Sequence, residues 1–244
     1  MVRYMRRQDN AFDPTAIDWW AYYQHEHEVS EFAPDADEIE PHRCYAAWSV
    51  FPRERLHSLL DVGCGDGYFC HWIKGRTRMN EVTGVDISRA RVEKARRRYR
   101  GLTFLEAGLP RLPFEDRQFD VVTCIEVLEH LADPISSLAE LSRVARRFVV
   151  ITVPDRQPIR WLLCPHCLKP FPACGHVNSF DADSLTRMCT RAGLQVQAIR
   201  VYHVPAGFDA GIPMWLGGLV RRLLLVAKPR RGLFLAARCR PADT

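Results

Sequence analysis

LLDVGCGDGYF, residues 59–69, decides how the chain is read. Leu59, Leu60, Asp61 and Val62 have the character of a buried strand end, and Tyr68 opens a helix. Between them Gly63, Gly65 and Gly67 permit a tight turn with φ > 0 and no Cβ in the way. A strand running through such a turn into a helix brings backbone N–H groups toward an anionic or polar cofactor. The spacing is G-x-G-x-G, which differs from the G-x-G-x-x-G of a dinucleotide fingerprint. Glycine turns alone specify little, so the following intervals carry the weight. Asp86, 19 residues after Gly67, ends the apolar run VTGVD of residues 82–86. An acid at the tip of a second strand can accept both hydroxyls of a ribose. The next apolar strand opens FDVVTCIEVLEHL, residues 119–131.

Outward from this centre the pattern alternates regularly. It predicts helices over 68–74, 88–98, 134–145 and 183–192, and strands over 81–86, 102–105, 119–124, 147–153 and 194–201. An apolar helix over 212–227 and a last strand over 232–239 complete it. Alternation of this kind requires an α/β fold whose mostly parallel sheet is covered by helices on both faces. Residues 1–48 form a leader with a helix from Pro14 into Glu28, capped by Asp13. Its Trp19, Trp20, Tyr22 and Tyr23 either pack the helix onto the core or make it a lid over a pocket.

These motifs, in this order, resemble the class I S-adenosylmethionine-dependent methyltransferases, and in particular the small-molecule group related to the enzymes of ubiquinone biosynthesis. The resemblance implies a Rossmann-like sheet of seven strands, with the last strand antiparallel and inserted between its neighbours. It covers residues 49–244, with 155–180 as an insert rich in Cys and His. It implies that Asp61, Gly63, Gly65 and Gly67 hold the methionine end of S-adenosylmethionine, that Asp86 holds the ribose, and that Ile87, Leu109 and Glu126 complete the cofactor site. One position departs from the pattern: EAGLPRLPF places Gly108 where the family carries the aspartate that binds the adenine amino group. The activity implied is methyl transfer to a small organic acceptor at O, N or C. His130, just past the fourth strand, is the candidate catalytic base because an imidazole titrates near neutrality.

EVLEHL with a later histidine is also similar to the small-RNA 3′-terminal 2′-O-methyltransferases. Carried over, Glu126, Glu129, His130 and His176 would bind a divalent metal. A degenerate fold that binds the cofactor without catalysis is the third reading. Nucleic acid is not the expected partner, because residues 1–40 hold ten acidic residues against three arginines.

Nine cysteines without a secretory leader argue against a disulfide framework. CPHCLKPFPACGH, residues 164–176, concentrates three of them. Cys164, Cys167, Cys174 and His176, with His166 as the alternate histidine, are the expected ligands of a closed structural zinc. The net charge of +5 hides a basic end formed by Arg221, Arg222, Lys228, Arg230, Arg231, Arg238 and Arg240. That end is either a solvated face that balances the acidic leader or a surface for nucleic acid or peripheral membrane contact. No apolar run is long enough to span a bilayer and no signal peptide is apparent, so a cytoplasmic location is expected. The oligomeric state is left open.

Overall fold

The computed structural model describes residues 12–30, 36–164, 166, 168–203 and 234–242. The expected helix over 212–227 lies outside them. Five strands, β1 (Ser58–Val62), β2 (Glu81–Asp86), β3 (Thr103–Glu106), β4 (Phe119–Ile125) and β5 (Ala145–Pro154), pair in parallel. With β8 (Leu194–Tyr202) and β9 (Phe234–Pro241) they form one seven-stranded sheet in the order β3-β2-β1-β4-β5-β9-β8. β9 runs antiparallel to both β5 and β8, as expected for the inserted last strand.

Side chains alternate across the sheet, so adjacent strand residues join opposite cores. Leu59 and Val121 enter one core with Phe69, Trp72, Val92 and Phe104. These contacts fasten α3 (Tyr68–Lys74) and α4 (Arg89–Arg98) to their face. Leu60 and Val122 enter the other with Leu138, Leu141 and Leu185, under α5 (Pro134–Val144) and α6 (Ala182–Arg191). The last two helices start where the sequence can cap them. Asp133 accepts from the Ser136 N–H with Pro134 in the first turn, and Asp181 forms a capping box with Ser184.

The leader holds two helices where one is expected. α1 (Trp19–Ser30) follows a one-turn segment at Pro14–Ala16 that Asp13 caps. α2 (Ala36–Val50) contains Pro41, a residue that argues against a helix interior, and is held by tertiary packing against β5, β8 and β9. The insert contains a short hairpin of β6 (Trp161–Leu163) and β7 (Pro170–Pro172). It leaves the sheet beyond β5, at the carboxyl edge where β1, β2 and β4 also end.

Candidate functional site

The glycine turn is wired into the second strand. The N–H groups of Gly63 and Cys64 both donate to the Val85 carbonyl (2.8 and 2.9 Å), and that of Gly67 donates to Cys64 (3.0 Å). The Gly65 N–H donates to Asp86 Oδ2 at 2.8 Å, while Asp86 Oδ1 accepts from the Ser88 N–H at 2.8 Å. Four turn donors are therefore consumed inside the protein. The expectation that they face a cofactor is corrected, because Val85 and Asp86 of β2 take three of them and Cys64 takes the fourth. What the turn offers is room: the nearest atom to a Cβ built on Gly65 is Arg91 Nη1, at 3.6 Å. Asp86 is buried at the rim of the turn. Beyond it Ile87 packs against Gly108: a Cβ on Gly108 would stand 3.4 Å from Ile87 Cβ. Leu109, partly buried, follows.

Asp61 is sealed below this turn. Its Oδ1 accepts from the Thr123 hydroxyl at 2.6 Å and its Oδ2 from the Cys70 thiol at 3.6 Å, tying β1 to β4 and α3. Burial, the dominant cause, pushes its pKa up to about 7. The folded protein thus keeps a proton that the unfolded chain releases near pH 3.9. Between about pH 4 and 7, stability falls as the pH rises, by up to about 1.4 kcal/mol per unit from this group. Asp61→Asn keeps the shape and the Thr123 bond and removes the titration. Thermal melts of the cofactor-free protein from pH 4.5 to 8 should show the variant gaining stability over wild type as the pH rises. Two parallel curves would refute this origin.

The end of β4 carries a cluster of buried titratable groups. Glu126 sits at φ 56, a left-handed conformation uncommon for a side-chain-bearing residue. Its N–H donates to the Thr152 carbonyl and its Oε1 accepts from the Thr152 hydroxyl, both at 3.0 Å. One helical turn, Leu128–His130, then presents Glu129 and His130. The His176 ring lies 4.6 Å from that of His130, edge to face, and Glu129 Oε1 lies 3.9 Å from His130 Nε2. Burial pushes Glu126 up to about 7 and, together with Glu126, pushes Glu129 up. Burial first, then His176, pushes His130 down to about 3. His130 is therefore neutral at pH 7 but weak as a base.

His176 reaches this group through its neighbours. The Val177 and Asn178 N–H groups donate to the Glu129 carbonyl (2.8 and 3.0 Å), and the Asn178 amide donates to Leu128 and Leu131 (3.2 and 2.7 Å). This clamp places the ring on His130 and away from the cysteines, which corrects the zinc expectation. Among the described residues Cys164, Cys174 and His176 do not gather their donor atoms, and Cys174 is exposed. Cys167 lies outside the described residues. Of the set implied by the RNA-enzyme resemblance, Glu129, His130 and His176 do come together, with Glu126 beside them.

Two contributors left no motif in the sequence. Gln24 on α1 donates its amide to the Ile87 carbonyl (2.8 Å) and accepts from the Arg89 N–H (3.2 Å), fixing the leader over the end of β2. Arg43 on α2 pairs with Glu40 at 2.6 Å, keeps a buried Nε without a hydrogen-bond partner, and lends positive charge to Glu126, Glu129, His130 and His176. The leader aromatics close the other side: Tyr23 lies 6.1 Å from the His130 ring, edge to face.

Comparison with known proteins agrees with this construction. A Mycobacterium tuberculosis protein named among the S-adenosylmethionine-dependent methyltransferases is 31% identical over 160 residues, 63% of this chain and 55% of its own length. The chain thus spans about half the length of these Mycobacterium relatives. A ubiquinone biosynthesis O-methyltransferase from Leptothrix cholodnii is 28% identical over 210 residues, 78% of this chain and 83% of its own. The solved structure of a Burkholderia thailandensis 1,6-didemethyltoxoflavin N1-methyltransferase, bound to its substrate and S-adenosylhomocysteine, superposes with a TM-score of 0.59. It covers 99% of both chains at 17% identity. The family described as "Methyltransferase domain" matches residues 17–199. With that match and the seven-stranded topology, the chain belongs to the methyltransferase-domain family of class I, S-adenosylmethionine-dependent fold.

Proposed function

We propose that the protein transfers a methyl group from S-adenosylmethionine to a small organic acceptor. The observation that carries this reading is the coupling of the glycine turn to Asp86, which leaves space above the turn and an acid at its rim. The cofactor supplies a methyl group activated by its sulfonium centre, and the chain's own residues position and shield it. Asp86 accepts the ribose hydroxyls, and the turn of Gly63, Gly65 and Gly67, uncrowded at Gly65, borders the methionine end. The Arg43 guanidinium is the cationic partner for the methionine carboxylate. Ile87 and Leu109 flank the adenine; with Gly108 in place of an acid, its amino group turns to backbone acceptors. Glu126, held by Thr152, borders the sulfonium side, and His130 with Glu129 forms the polar wall toward the acceptor. Trp19, Tyr22 and Tyr23 act as a lid that excludes water. The relatives named above for ubiquinone and toxoflavin chemistry act on small molecules, which favours that acceptor class here.

Calorimetry with S-adenosylhomocysteine should give one site per chain, and mass spectrometry of a metabolite extract incubated with cofactor should show a methylated product. Absence of cofactor binding by the folded wild type overturns the reading. The gathering of Glu129, His130 and His176 favours the RNA-directed alternative enough to include a short RNA with a free 3′-terminal 2′-hydroxyl in the same screen. Its methylation in place of any metabolite would move the acceptor class to RNA.

A further inference from the structure

We infer that the edge at which the parallel strands begin carries a binding site for a phosphate anion of two or more charges. Arg117, Arg146, Arg147 and Arg240, with Pro241, line a recess of about 330 Å³ there. The strand register brings them together. Arg117 precedes β4, Arg146 and Arg147 stand at the start of β5, and Ala145 of β5 pairs with Phe119 of β4. β9 runs the other way, with Cys239 against Val149, so its last residues return to this edge. Glu126 and His130 lie past the opposite end of β4, and the recess shares no residue with that site.

Four guanidiniums here meet two carboxylates. Arg146 Nη1 lies 3.1 Å from Asp120 Oδ1, and Glu54 is shared by Arg147 and, at 3.6 Å, by Arg240. Asp116, beside Arg117 in the chain, is taken by Arg143 at 2.7 Å. Among the described residues Arg117 has no ion pair or side-chain hydrogen bond, and the Arg240 guanidinium has no hydrogen bond. Four positive charges against two negative ones leave two unmatched. Like charges gathered in this way repel one another, and a recess focuses their field on whatever enters it.

The cradle is held before an anion arrives. Arg146 Nη2 donates to the Gln118 carbonyl at 3.3 Å and Arg147 Nη1 to the Arg55 carbonyl at 3.1 Å. The Arg147 and Arg240 guanidiniums lie 5.5 and 4.9 Å from the centre of the Phe148 ring, whose attraction for cations offsets part of their repulsion. The Arg117 N–H donates to the Arg143 carbonyl at 2.7 Å, holding Arg117 at φ 54, a conformation uncommon for a residue with a side chain. Two anchored forks beside two uncommitted ones suit a phosphate, because a guanidinium gives two parallel N–H bonds to neighbouring phosphate oxygens. A carboxylate brings one charge, whereas a phosphate brings about two on one centre. The site stands whether or not the methyl-transfer reading does.

The test is calorimetric titration of the full-length protein with inorganic diphosphate in about 0.1 M salt, where attraction between exposed charges is screened beyond roughly 10 Å. We expect one diphosphate per chain. Arg117→Ala and Arg240→Ala should each weaken binding by roughly tenfold or more, with thermal melts reporting that each is folded. Arg117→Lys keeps the charge without the fork and should recover only part of the loss. The control R97A/R100A alters a second basic recess, beside the end of α4, and should bind as wild type does. Titration with ADP identifies the source of the phosphate: tighter binding than diphosphate assigns a nucleotide, and equal or weaker binding assigns the free inorganic anion. Absence of saturable binding overturns the site, as does binding that survives in folded Arg117→Ala and Arg240→Ala. An equal loss in R97A/R100A would mark a diffuse basic surface and overturn it too. Succinate bound as tightly as diphosphate would overturn the phosphate assignment.

Discussion

Gly63→Ala is expected to cut S-adenosylhomocysteine affinity by about 100-fold or more, which corresponds to about 2.7 kcal/mol. Gly63 has φ 78, where an L side chain costs about 1–2 kcal/mol. The larger cost is a collision, because a Cβ there would stand 2.3 Å from Val127 Cγ2. Val127 belongs to the segment between Glu126 and the Leu128–His130 turn. Relief therefore has to displace either the glycine turn or the end of β4. Overpacking of this kind costs about 1–3 kcal/mol of stability as well. Adding Val127→Ala to Gly63→Ala removes Cγ2, so the double variant should regain part of the lost stability while the φ penalty remains. Calorimetry and thermal melts check both halves. An affinity within about threefold of wild type for Gly63→Ala would show that the turn does not border the cofactor.

Asp86→Ala is expected to have a comparable effect through lost bonds. It removes the acceptor for the Gly65 and Ser88 N–H groups, both at 2.8 Å, and unties the turn from β2. Two hydrogen bonds to a charged group at about 1.5 kcal/mol each put the stability loss near 3 kcal/mol. The same substitution deletes the ribose acceptor, so cofactor affinity should fall by at least about 100-fold. Asp86→Asn separates the two roles. Its single amide oxygen can serve one of the N–H groups while its NH₂ faces the other, so its stability should lie between those of wild type and alanine. Cofactor affinity unchanged in folded Asp86→Ala would remove this residue from the ribose site.

The parts of the fold legible in the sequence are those governed by local pattern. The strand from Leu59, the glycine turn and Asp86 lie close together in the chain, and their order alone implied the β1–α3–β2 unit. The alternation further on implied the sheet, and the family resemblance implied the antiparallel β9. α2 was not legible because Pro41 argues against a helix whose support comes from β5, β8 and β9, distant in sequence. The donor role assigned to the glycine turn failed for a similar reason: the Val85 carbonyl and Asp86 take its N–H groups. The cysteine knuckle drew His176 into a zinc set by proximity along the chain. Asn178 and the backbone of Val177 decide its true neighbour, and hydrogen bonds of that kind have no periodicity to read. Arg43 and Gln24 reach the site from the leader by the same long-range logic.

The place of β9 constrains the order in which this molecule can assemble. β1 to β5 are complete by residue 154 and can pair among themselves as they emerge. β5 then waits, with its outer edge unpaired, until residues 234–241 arrive to register Val150 against Arg238 and Ile151 against Ala237. β8 waits for the same segment, since among the described residues it pairs with the sheet only through β9. An open edge of buried, apolar strand is a template for pairing with another chain. A ribosome that stalls before Cys239 therefore leaves a five-stranded intermediate with an adhesive margin, and closure of that margin is a late, long-range event in synthesis.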